Sequence, residues 1–125
     1  FAGSETVRSH GGLWILCEGR GEMPGGDMAA MLMTLGYDPQ KKQYLGTWVG
    51  SMMTHLWVYA GSLDAEEKVL TLSTEGPTFT EEGKLAKYKD VIEIKNPNHR
   101  ILTSHMLGDD GEWRQFMTAN YRRKT

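Results

Sequence analysis

The chain has 125 residues, 14 Lys and Arg against 16 Asp and Glu, a formal net charge of -2 and 39% apolar residues. This is the size and balance of one globular domain, and the near-neutral charge speaks against nucleic acid as an electrostatic partner. Eight Met and four Trp supply the core volume that sets disorder aside, and no apolar run approaches the roughly 18 residues of a membrane span.

Turn-forming clusters punctuate the chain: Pro24-Gly25-Gly26-Asp27, Gly36-Tyr37-Asp38-Pro39, Asp64-Ala65-Glu66-Glu67, Gly76-Pro77, Asn96-Pro97-Asn98 and Gly108-Asp109-Asp110-Gly111. The segments between them predict nine β-strands, at about 5–10, 12–21, 29–36, 43–53, 55–62, 69–75, 85–95, 100–107 and 112–123. Two stretches compete for a helix. Asp27 to Met33 is rich in helix formers behind an N-cap type residue, and Leu85, Tyr88 and Ile92 fall at helical spacing within 80–94. Both are read as strands, because a helix in either place would interrupt a run of adjacent hairpins. Asp110-Gly111 is the strongest hairpin signal. In the last segment Trp113, Gln115, Met117, Ala119 and Tyr121 are expected to share one face.

The expected fold is all-β, an antiparallel up-and-down meander of about nine strands curled into a barrel over residues 1–125. Gly19 and Gly21 in one strand, and Gly46 and Gly50 in another, mark either the bends of a closing barrel or bulges in an open sheet.

An ordered series of motifs carries a resemblance. Leu35-Gly36-Tyr37-Asp38-Pro39, Tyr44-Leu45-Gly46-Thr47-Trp48-Val49-Gly50-Ser51-Met52, Gly61-Ser62-Leu63-Asp64 and Tyr121-Arg122-Arg123-Lys124 together resemble the bacterial domain-of-unknown-function family fifteen seventy-nine, from about Thr6 to Lys124. The resemblance implies a small lipocalin-like or calycin-like barrel and carries no reaction with it. Members of that family usually begin earlier, with a strand around a Gly-Glu-Trp motif, whereas this chain opens where their second strand is expected. The expectation that follows is an exposed sheet edge filled by a second copy, a homodimer.

The aromatic and methionine inventory suggests an adaptable apolar lining: Trp48, Met52, Trp57, Tyr59, Met117 and Tyr121, with Trp14, Met31 and Met33 nearby in composition and His55 as the polar contact. The expected partner is a small apolar or amphipathic molecule; the competing reading is that the same residues pack the barrel solid. An enzyme of the isomerase or hydrolase kind, with His55 or Asp90 as base, is the alternative function. Haem held by one axial histidine is a third reading, by fold-level analogy alone. His10, His55, His99 and His105 lack the spacing of a metal site, and no cofactor is expected.

The remaining candidates read as structural. Glu18 and Arg20 share a face with Trp14 and Leu16, either as an inward ion pair or at a solvated strand end. Ser51 is in no nucleophile elbow. Ser104 and His105 are neighbours on a strand, so their side chains point to opposite faces. Cys17, with no cation beside it, reads as a small buried hydrophobe, and Arg122-Arg123-Lys124 as a solvated strand end. One cysteine excludes an internal disulfide and fits a reducing cytoplasm, and no signal-peptide pattern is expected at the start.

Overall fold

A computed structural model describes residues 3–22, 25–78 and 83–124. They form nine strands: β1 (Gly3–His10), β2 (Trp14–Glu22), β3 (Met28–Asp38), β4 (Gln43–Gly50), β5 (Trp57–Leu63), β6 (Val69–Pro77), β7 (Leu85–Asn96), β8 (His99–Leu107) and β9 (Trp113–Arg122). The sheet order follows the chain order from β1 to β9, an antiparallel meander. The described residues contain no helix, and so none long and apolar enough to cross a membrane. The chain divides into two compact units, one ending at Tyr59 and the other starting at Ala60.

Both stretches with helical character are strands, except that residues 80–82 lie outside the described residues. Met28–Asp38 is flanked by β2 and β4 in continuous register, so its backbone groups find ladder partners that outweigh the helix propensity of Ala and Met. The hairpins are set by local chemistry. Asp64 Oδ1 accepts hydrogen bonds from the backbone N–H groups of Lys68 and Val69 at 2.8 and 3.0 Å, closing the turn between β5 and β6; these bonds hold its carboxyl below the usual range. Between β8 and β9, Gly111 takes a φ of 81°, a left-handed conformation that favours glycine, and Asp110 accepts the Glu112 N–H.

Strand β4 ends at Gly50, three residues short of the expected boundary. Ser51 turns the chain there: its N–H donates to the Ala30 carbonyl and its Oγ accepts from the Ala30 N–H, both at 2.9 Å. Strand β5 starts only at Trp57, so His55 precedes the strand it was expected to join. Strand β9 carries a bulge. Gln115 opposes His105, Met117 opposes Ser104, and Phe116 is the extra residue. Met117, Ala119 and Tyr121 therefore face opposite to Trp113 and Gln115, and the single face expected for β9 is divided in two.

Candidate functional site

In the first unit, registered neighbours share a face, and the register assembles an apolar row. Cys17, Met33 and Trp48 lie side by side across β2, β3 and β4, with Gly19, Met31 and Gly50 as the adjacent row. Cys17, Met31, Met33 and Trp48 are all half-buried. Glycines keep this face low: a Cβ on Gly50 would run into the Trp48 ring and the Met52 sulfur. Trp48 and Met52, two of the expected lining residues, thus meet around Gly50. Trp14 sits on the opposite face, its ring over Gly36, because one residue's shift along β2 reverses the side.

The His55 ring meets that of Trp57 edge-on, with centroids 4.7 Å apart and an interplanar angle of 83°. Trp57 in turn donates its indole N–H to the Met53 sulfur at 3.1 Å. Trp57 and Tyr59 are buried while Val58 between them is 59% exposed, the alternation expected of one covered strand face. Burial pushes the Cys17 thiol up, which disfavours the reactive thiolate. Glu18 pairs with Arg8 across the β1–β2 ladder at 2.7 Å, in the open, and Arg20 is exposed; this is the solvated arrangement rather than an inward pair.

In the second unit one face carries Leu70 and Leu72 of β6, Tyr88, Asp90 and Ile92 of β7, and Leu102, Ser104 and Met106 of β8. Leu72 is fully buried and Tyr88 and Ser104 nearly so. Met117 and Tyr121 of β9 face the same way, through their partners Ser104 and Arg100. Polar groups punctuate this face. The Ser104 hydroxyl donates to Asp90 Oδ1 at 2.7 Å. The Tyr88 hydroxyl donates to the Pro77 carbonyl at 2.6 Å, and burial pushes its phenol up. The Arg100 guanidinium stacks over the Tyr121 ring at 4.5 Å, and its burial draws its pKa down. Thr74 Oγ1 is buried with no hydrogen-bond partner among the described residues.

His105 reaches Thr103 Oγ1 at 3.0 Å on the opposite face, apart from Ser104 as their adjacency on a strand requires. His99 meets Asn120 Oδ1 at 2.9 Å. Among the described residues no three His, Cys, Asp or Glu side chains come together as metal ligands.

The seven expected lining residues thus divide into a first-unit set, Trp48, Met52, His55, Trp57 and Tyr59, and a second-unit pair, Met117 and Tyr121. Thr74, Arg100 and the Ser104–Asp90 contact escaped the sequence reading. Counting back from the Asn96–His99 turn pairs Asp90 with His105. A register shift between Ile94 and Asn96 pairs it with Ser104 instead, and no residue pattern announces that shift.

Across the chain, the sequence profile of a family described as protein of unknown function (DUF1579) matches residues 1–123. No curated protein matches. With all but its last two residues inside that match, the chain belongs to the DUF1579 family.

Proposed function

We propose that the protein is a non-enzymatic binding protein for a small apolar or amphipathic molecule. On the first unit, taken by itself, the candidate contacts are Trp48, Met52, His55, Trp57 and Tyr59; on the second, taken by itself, they are Met117 and Tyr121. The observation that carries this reading is the half-burial of the Cys17–Met33–Trp48 row. Large, flexible, polarisable side chains held on a glycine-lowered sheet face, neither packed away nor fully solvated, suit a loosely specified apolar guest. His55, edge-on to Trp57, adds a polar group beside that ring. The single thiol Cys17 suits a reducing compartment, the cytoplasm. Strand β1, at one end of the sheet order and exposed along nearly its whole length, is the edge through which two copies would pair.

Native mass spectrometry of the purified protein tests both parts at once. The expected spectrum shows a dimer carrying extra non-covalent mass of a small molecule. A bare chain that also leaves tryptophan fluorescence unchanged on addition of eight-carbon amphiphiles would rule the binding reading out.

The enzymatic alternative, with Asp90 or His55 as base, draws on one contact: Ser104 orients the Asp90 carboxylate on an apolar face. It requires an ester- or isomerase-substrate turnover that Asp90→Asn or His55→Gln abolishes while the fold persists.

A further inference from the structure

We propose that Thr74, Asp90 and Ser104 form a polar subsite on the apolar face of the second unit, built to receive a hydroxyl group of the ligand. The inference rests on the binding reading above and gives its ligand a chemistry. The three residues stand on successive strands. Thr74 pairs with Tyr88 and Leu72 with Asp90, so Thr74 is the diagonal neighbour of Asp90, and Asp90 is directly across from Ser104. Diagonal neighbours in an antiparallel pair lie roughly 7–8 Å apart along the backbone, and Thr74 and Asp90 extend from the same face, so a ligand oxygen placed between their tips can bond to both. Their neighbours are largely apolar: Leu72 is fully buried, and Tyr88 and Ser104 nearly so.

Within this setting the hydrogen bonds are unevenly distributed. Ser104 is committed to Asp90 at 2.7 Å. Tyr88, opposite Thr74, is committed to the Pro77 carbonyl at 2.6 Å. The Thr74 hydroxyl alone is buried without a partner among the described residues. A buried hydroxyl that makes no hydrogen bond destabilises the fold that contains it, and a group so placed calls for an explanation beyond the fold itself.

The donor and acceptor inventory selects the guest. A ligand hydroxyl donates its hydrogen to the Asp90 carboxylate and accepts the Thr74 hydrogen, so both protein groups are served by one atom. A ligand carboxylate would be repelled by Asp90. An ammonium would serve Asp90 but leave the Thr74 hydrogen unplaced, and it would share the face with the Arg100 guanidinium. An alkyl chain would leave the Thr74 hydroxyl without a partner. The ligand class is therefore an apolar molecule bearing a neutral hydroxyl.

Isothermal titration of the full chain with 1-octanol, octanoate and octylammonium, in the native sequence and in Thr74→Val, tests this. The expected result is at least tenfold tighter binding of 1-octanol than of either ion, a preference lost in Thr74→Val. The variant should match or exceed the native Tm, because it replaces an unbonded hydroxyl with a methyl of the same shape. Tighter binding of either ion, an unchanged octanol affinity in Thr74→Val, or a variant Tm lowered by several degrees would each overturn the subsite while leaving apolar binding intact. If none of the three amphiphiles binds the native chain, the binding reading itself fails with it.

Discussion

The indole ring of Trp48 occupies the space that a side chain on Gly50 would enter, two residues further along the same strand. Gly46, on the same face, is hemmed in differently: there a Cβ would strike the backbone carbonyl oxygen of Thr34 on β3. The two glycines thus serve one face by different means, since Trp48 and Met52 can rotate away and a ladder carbonyl cannot.

Gly46→Ala should therefore destabilise the chain by about 1–3 kcal/mol, the usual cost of forcing atoms into a packed site. Gly50→Ala should cost less and shift the tryptophan emission instead. Urea unfolding of the two variants, followed by fluorescence, checks the order; equal costs would contradict it.

Leu72 has no solvent exposure, whereas Val58 is largely exposed. Leu72→Ala should lower stability by about 2–5 kcal/mol, through lost burial and the cavity left behind. Val58→Ala should stay within about 0.5 kcal/mol. Denaturant midpoints for the pair provide the comparison.

Asp110 governs the acid behaviour of the last hairpin. Hydrogen bonds from the Arg114 guanidinium, and then from the Glu112 N–H, hold its carboxyl at about 2. A carboxyl depressed in the folded state stabilises above its ordinary pKa, near 4, and loses that contribution as pH falls towards about 2. Thermal midpoints measured from pH 5 to pH 2 should therefore fall more steeply for the native chain than for Asp110→Asn. Salt should narrow the gap, because the pair is solvent-exposed.

Cys17 reports on the apolar row of the first unit. Burial raises its thiol, so reaction with a disulfide reagent at pH 8 should be slower in the folded chain than in urea. Since Cys17 lies in register with Met33, itself in register with Trp48, an amphiphile bound on this row of the first unit should slow the labelling further. Unchanged labelling with the amphiphile present would take the row of the first unit out of the binding surface.

All nine strands were legible in the sequence because the turn signals are local. Asp64 closes its own hairpin with two backbone hydrogen bonds, and Gly111 supplies the one backbone conformation its turn favours. Side-chain facing was legible only where the ladder keeps strict alternation, as for Trp57 and Tyr59. It failed for Trp113 and Gln115, because Phe116 is inserted as a bulge in a stretch whose residue pattern still alternates. Trp14 was grouped with Trp48 on composition, but only the β2–β3–β4 register decides which face each tryptophan takes. The Thr74–Asp90–Ser104 cluster was out of reach for a related reason. It depends on three strands and on a one-residue register shift at Lys95, which costs the sequence no distinctive residue.

The chain-order sheet also bears on how the protein reaches its fold. Every ladder joins a strand to the next one along the chain, so each pairing closes a loop no longer than one turn. The loop-closure entropy that slows most all-β proteins is correspondingly small. Folding can begin at whichever hairpin forms first, with the tight Asp64 and Asp110-Gly111 turns as the natural starting points. It then spreads outward one strand at a time, each new strand docking on an edge already made.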